Sequence, residues 1–360
     1  MTRARRRAQY ALARPAVRGA GVVLAGVGLL ALAAVYAVAL WKMPSWMGLE
    51  GRGGDAKDRH NARLLVVSAG GAVVVAISLL YTARSYRLSH RGQVTDRFTK
   101  ALERLSSTDL DARLGGIHAL AHVAGDSRPH HDDVVEVLEA FIRRRAPQAR
   151  PEEDGPTLSR RPPLPERPDS DVQAALTALG RRPPRPERRR VDLSALHLTT
   201  ARLADLDFNH MDLQRANLGG ADLSGADLRG AVLERANLRD ADLRGAVLER
   251  ANLRHADLRG AVLEDADLRH AGLWFADLRG ADLRRAGLWF ANLRGANLQR
   301  AKLRGANLRY ADLQQVNLRA ADLRFADLRA ADLRGATGQP EQDIRALAKV
   351  DHRTTFGAVQ

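Results

Sequence analysis

The sequence predicts an all-β solenoid over residues 191–335, preceded by two transmembrane helices and a small α-helical module. Three observations carry this expectation: a five-residue word repeated without a slip, two long apolar runs near the N-terminus, and helical apolar spacing between residues 98 and 142. The word is plain in residues 241–260, ADLRGAVLERANLRHADLRG. The 360-residue chain divides accordingly. Residues 1–92 hold a basic start and a two-helix membrane hairpin, 93–145 the helical module, 146–190 a linker rich in Pro and Arg, 191–335 the repeats, and 336–360 a capping helix and tail.

Residues 19–41, GAGVVLAGVGLLALAAVYAVALW, carry no charge. At ~1.5 Å per residue they exceed a hydrocarbon layer of roughly 30 Å. Residues 64–81, LLVVSAGGAVVVAISLLY, just reach the minimum length. Lipid offers the backbone no hydrogen-bond partners, so both runs are expected as helices, packed through small residues such as Gly70, Gly71 and Ala72. Arginines crowd before the first run (Arg3, Arg5, Arg6, Arg7) and after the second (Arg84, Arg87, Arg91), whereas the loop between them mixes both signs. Retention of basic flanks on the inner side then makes this a two-span protein of the cell membrane with both termini cytoplasmic. Trp41, Trp46 and Met47 fall at the outer interface. The competing reading is a leader cleaved after Ala37-Val38-Ala39, against which the length of the apolar run argues. Even then the second run would stop transfer and leave the remainder cytoplasmic.

A formal charge of +15 suggests nucleic-acid binding until its distribution is read. The repeats hold 21 Arg and 1 Lys against 17 Asp and 3 Glu, a net +2, and the excess lies in the first 190 residues, where it already serves as a topology signal. Nucleic acid is therefore not expected as a partner. Cysteine is absent, which excludes disulfides, thiolate metal sites and cysteine nucleophiles.

After the membrane segment, apolar residues recur at helical spacing in three stripes: Phe98, Ala101, Leu102 and Leu105; Leu110, Leu114, Ile117 and Ala121; Val134, Val135, Leu138, Phe141 and Ile142. A small bundle is expected, with Gly115 and Gly116 allowing close approach. His118 and His122 share a helix face and His130, His131, Asp132 and Asp133 follow, but Ala119 stands where a zinc-protease motif needs Glu, so no metal site is expected. The prolines of RRPPLPERP and RRPPRPERRR favour an extended spacer holding the next domain off the membrane, with one short helix over residues 171–180.

From residue 191 the chain divides into 29 pentads whose middle residue is Leu in all but one, where Phe208 replaces it. A continuous α-helix would rotate these leucines ~140° per word, and a flat strand would send alternate ones to opposite faces. Only a corner in every word keeps the central Leu and the preceding Ala inward, with Asp or Asn facing out and the last two residues, often Arg-Gly, turning. Outward charges choose the number of sides, because stacked coils lie roughly 4.8 Å apart. Three words per coil would stack Glu234, Glu249 and Glu264; four put each over Arg254, Arg269 and Arg284 instead. Four also sandwiches Trp274 between Arg254 and Arg294, and Trp289 between Arg269 and Arg309. Charges alone leave five open.

These A(D/N)LxX words resemble the pentapeptide-repeat family across residues 191–335, and the layout of two spans, helical module and repeats resembles membrane-bound actinobacterial members. The resemblance implies a right-handed quadrilateral β-helix. The larger Leu196, Leu206, Phe208 and Met211 suit a cap at the first coil, and Ile344, Leu347 and Ala348 of a helix within residues 340–350 suit one at the last.

No catalytic constellation is legible, so neither enzymatic activity, cofactor nor metal is expected. The candidate site is a partner-binding patch of outward aromatics: Trp274, Phe275, Trp289, Phe290 and Tyr310. Internal packing along the wall and self-association are the alternative uses for these rings. The function expected is a membrane-tethered cytoplasmic scaffold for an unidentified protein partner. Some relatives mimic DNA to occupy type II topoisomerases, which requires a strongly negative rod; the near-neutral repeats depart from that. Attraction of the basic half to anionic lipid or nucleic acid is the remaining alternative.

Overall fold

The computed structural model describes residues 31, 34–42, 45–47, 56–150 and 163–357. Most of the first expected span, residues 19–41, lies outside these. Residues 34–42 are helical, and α1 (Ala56–Leu105) is a helix of 50 residues. The chain forms two compact units, residues 1–92 and 93–360. In the first unit, Ala56–Tyr86 is the one stretch among the described residues long and apolar enough to cross a bilayer. Its Leu64, Val74 and Leu80 are exposed. Gly70 packs against the ring of Tyr36, where a Cβ would overlap it, whereas Gly71 faces open space.

The second unit begins with helices placed by the apolar stripes. The end of α1 packs Ala101 and Leu105 on Ile117 and Leu120 of α2 (Leu110–Asp126). Gly116 permits this, since a Cβ there would sit 2.9 Å from the Ala101 carbonyl oxygen. A short 3₁₀ turn leads to α3 (His131–Arg145), and α4 (Ser170–Gly180) packs on both α2 and α3. Buried Asp171 of α4 accepts from Arg113 Nε at 2.6 Å and pairs with Arg145 at 3.2 Å. This is not the extended spacer that the proline content suggests. Residues 163–190 are folded into the same core as the bundle and the repeats, because the Val172, Ala175, Leu176 and Leu179 stripe of α4 needs a partner and finds one on each side.

The repeats form a four-sided coil. Parallel bridges join residue i to i+20, as in Asp222 to Asp242 to Val262, so four words complete one turn. Each bridge is one residue wide; no longer strand occurs among the described residues of the coil, since a corner every five residues leaves no room for one. The Leu and Ala side chains stack inward and are buried throughout.

The wall accounts for every backbone N–H of a word whose second residue is Asp or Asn, and for all but the outward fourth N–H of the others. The second residue donates to the coil before (Asp242 N to Ala221 O, 2.9 Å), while the third and fifth donate to the coil after (Leu243 N to Val262 O, 2.7 Å; Gly245 N to Glu264 O, 3.0 Å). The first closes a turn on the previous word (Ala241 N to Leu238 O, 3.1 Å). Only the fourth N–H has no backbone acceptor. The side chain of the second residue supplies it: Arg244 N donates to Asp242 Oδ1 at 3.1 Å, and equivalent bonds recur from Ser194 to Arg334. Asp and Asn are chosen there because their short oxygens reach the N–H two residues on. The turn also fixes the fifth residue in the left-handed region, at φ +54° to +61° for the 20 corners that carry no glycine.

Arginine at the fourth position then returns to the same carboxylate. Arg279 Nη2 lies 2.7 Å from Asp277, and Arg324 Nη2 2.7 Å from Asp322. Most neutralisation is therefore within the word, not between coils, although Glu249 to Arg269 (3.5 Å) and Glu264 to Arg284 (3.1 Å) form across coils as the register argument expects.

Both ends are covered. The first coil has edge N–H groups with no preceding coil, and three find substitutes: His197 N donates to the Pro147 carbonyl at 2.8 Å, Arg202 N to Gln173 Oε1 at 2.9 Å, and Asp207 N to the Gly180 carbonyl at 2.8 Å. Phe208 and Met211 are buried as a cap requires, but the bundle and α4 do the covering. At the other end α5 (Glu341–Leu347) buries Ile344, and Ala348 is nearly as well covered. Leu347, expected inward, is exposed; its carbonyl instead accepts from Phe325 N at 2.8 Å. Residues 349 and 355 bridge to Asp327 and Asp332, extending the coil partway round once more.

Replacing Leu258 by Ala in the middle of the stack is expected to cost about 2–5 kcal/mol. Arg319→Ala on the surface should stay within about 0.5 kcal/mol, both read by chemical denaturation. The paired carboxylates set an acid limit. The Arg334 hydrogen bond draws the Asp332 carboxyl from 3.8 down to about 2 against the opposing effect of burial, with help from Thr355, and Arg244 and Arg329 likewise lower Asp242 and Asp327. A depressed carboxylate contributes stability that is complete above its unfolded value and disappears as the pH falls through the folded one. Melting temperature should therefore drop between about pH 4 and about pH 2. Asp332→Asn, which keeps the turn acceptor, should weaken that dependence in circular-dichroism melts.

Candidate functional site

The expected aromatic patch resolves into two neighbouring corners that flank one wall of the coil. His270 leads into residues 271–275 and Phe275 ends them, so one corner carries His270, Trp289, Phe290 and Tyr310 and the other His255, Trp274 and Phe275. At the first corner His270, Phe290 and Tyr310 form a column. Ring centroids are 5.2 Å apart at 8° for the lower pair and 4.8 Å at 16° for the upper. Trp289 leans on Phe290 at 4.9 Å and 43°. At the second corner His255 stacks on Phe275 at 5.3 Å and 12°, and Arg254 covers Trp274 at 5.8 Å. Ring contacts between the two corners are not found among the described residues.

The columns follow from the backbone. Equivalent corners repeat every coil, roughly 4.8 Å, which lies within the range where aromatic rings stack with offset. The left-handed fifth residue points its side chain outward at the corner, as at Phe275 (φ 55°) and Phe290 (φ 57°). Gly295, next above Phe275, leaves room for the ring; a Cβ there would approach Phe275 Cε1 to 2.5 Å. Packing leaves the rings partly free: Trp274 is 39% exposed, Phe275 53%, Trp289 37% and Phe290 43%, whereas Tyr310 is half-buried.

Two expectations about arginine need correction. Trp289 does not sit between Arg269 and Arg309. Arg269 is held by Asp267 at 2.7 Å and Glu249 at 3.5 Å, and Arg309 lies over Tyr310 at 5.7 Å. Charge-assisted bonds to two carboxylates outweigh a single exposed cation-π contact. At Trp274 the Arg254 half of the sandwich forms, and Arg294 stacking is not found among the described residues.

His255 and His270 were not singled out by sequence, although the signal was there: ANLRH and ADLRH place each histidine 20 residues before Phe275 and Phe290. Phe325, another corner ring, is 63% exposed with Arg304 over it at 5.5 Å. The histidines of the helical module gather no metal site: among the described residues no three His, Asp or Glu side chains converge as one. Within that module His131 is buried, and burial pushes its imidazole below the usual value.

The repeats match the family model described as pentapeptide repeats, in overlapping copies running from 192–230 to 296–335. Among solved structures, HetL of the cyanobacterium Nostoc sp. strain PCC 7120, a pentapeptide repeat protein involved in heterocyst differentiation regulation, shares 37% identity over 46% of this chain and 80% of its own, with a TM-score of 0.25. A pentapeptide repeat protein from the Arabidopsis thaliana thylakoid lumen shares 37% over 27% and 68%, with a TM-score of 0.27. QnrB1, a plasmid-mediated fluoroquinolone resistance protein, shares 20% over 43% and 89%, with a TM-score of 0.24. A comparison with curated protein sequences finds no match. Through the uninterrupted five-residue words of its C-terminal half, this chain belongs to the pentapeptide-repeat family.

Proposed function

We propose that the protein is a membrane-tethered scaffold whose coil presents its two aromatic corners to a protein partner in the cytoplasm. The observation that carries this reading is four rings, each between 37% and 53% exposed, held on adjacent corners of a coil whose Leu and Ala core is buried. Rigid aromatic anchors with a neighbouring arginine are the usual centres of binding energy at protein interfaces. Tethering rests on Ala56–Tyr86, on the uncharged residues 19–41, and on the basic flanks that favour cytoplasmic termini. The alternative of DNA mimicry finds no support in repeats of net charge +2, where arginine folds back on the aspartate of its own word in words such as 276–280 and 321–325.

The test is capture of partners by the full-length chain from native membranes, compared between wild type and Trp274→Ala/Trp289→Ala. A hot-spot tryptophan is worth about 2 kcal/mol or more, so the double variant should lose a specific protein while still sedimenting with carbonate-washed membranes. Unchanged capture would reduce the rings to wall packing, and release from washed membranes would remove the tether.

A further inference from the structure

On the corner that carries Phe275, the column continues toward the first coil as His255, Arg235, Arg215 and Ala195. Together with Asn217, Asn237 and Arg150, the polar members of this column line an open groove of about 560 Å³. We propose that this groove, which meets the aromatic corner at His255, binds an extended acidic peptide segment of a partner protein through Arg215 and Arg235, residues that take no part in the ring stacks.

The sequence of corners sets this place apart. Where Asp precedes a fourth-position arginine by two, the arginine folds back on that aspartate, and among the other fifth-position arginines Arg285 pairs with Asp265 while Arg250 and Arg300 have no arginine on the next coil of their columns. Arg215 and Arg235 stand fifth, and the wall residues that follow them are Asn217 and Asn237. Among the described residues no carboxylate lies within 4.0 Å of either guanidinium, although they occupy successive coils of one column. The carboxylate that does line the groove, Asp257, is already held by Arg259. The asparagines bond along their own column, Asn237 Nδ2 donating to Asn217 Oδ1 at 3.1 Å, so they shape the wall without neutralising it.

Two like charges stacked at roughly 4.8 Å repel unless something anionic lies between or over them. Guanidinium forks match carboxylates with two parallel bonds each, which suits Glu or Asp side chains. Three coil rises give a groove of roughly 14 Å, the length of about four extended residues at ~3.3 Å each. A peptide with carboxylates on one edge would meet Arg235 and Arg215 in turn. A duplex nucleic acid needs a broad positive field, which repeats of net +2 do not offer.

The experiment uses the full-length chain in detergent and a fluorescein-labelled hexaglutamate peptide, read by anisotropy against a hexaglutamine control. Hexaglutamate should bind and hexaglutamine should not, and Arg215→Gln/Arg235→Gln should weaken binding at least tenfold. Arg300→Gln/Arg319→Gln, which removes the same charge elsewhere on the coil, should change it less than threefold. Equal losses in the two double variants would reduce the effect to net charge and overturn the proposal. So would tighter binding of a labelled DNA duplex through Arg215 and Arg235. The chain's own Glu152, Glu153 and Asp154, adjacent in sequence to Arg150, are the other candidate occupants. Binding that emerges only after these three are changed to amides would assign the groove to them and overturn it as well.

Discussion

Everything in the repeat domain depends on one constraint: a five-residue word must turn a corner and still leave no buried backbone group unpaired. Leu and Ala supply a dry channel, but the channel alone would not hold, because an unpaired N–H beside it would cost as much as burying leucine gains. Three inter-coil bonds, one turn bond and one side-chain bond close the account, as Asp242 to Gly245 illustrate. That closure explains the spelling of the word. Ala fits where walls meet, Asp or Asn accepts from the fourth N–H, Arg returns to the carboxylate, and the last residue takes the left-handed corner at some conformational cost.

The same accounting explains the ends. A coil is satisfied only by another coil, so its first and last turns need substitutes. The bundle and α4 provide carbonyls and an amide oxygen at one end, through Pro147, Gly180 and Gln173, and residues 347–357 wind on as an incomplete coil at the other. The segment read as a spacer is thereby a structural part of the coil, and the repeats and the residues from 93 onward share one core.

The solenoid and its four sides were legible because period and charge register are both written in the sequence: Glu249 and Glu264 meet Arg269 and Arg284 as the spacing requires. The role of the second residue was not legible. Read as an outward charge, Asp242 is first a hydrogen-bond acceptor for its own word, a duty visible only once the corner geometry is known. α4 was recognised as a helix, but proline density concealed its packing. Of the candidate site, the five rings were legible as outward residues, while their stacks, the split into two corners and the histidines beneath them depend on which wall each word ends. The arginine sandwiches failed where a carboxylate competed, as at Arg269.

Amide hydrogen exchange across the middle coils tests the account most directly. Fourth-position N–H groups should be protected where the second residue is Asp or Asn, as at Arg244, and should exchange fast where it is Val or Gly, as at Glu249, Trp274 and Trp289, while neighbouring third-position amides stay protected throughout. Uniform protection at the fourth position regardless of the second residue, or protection without a five-residue period, would contradict it.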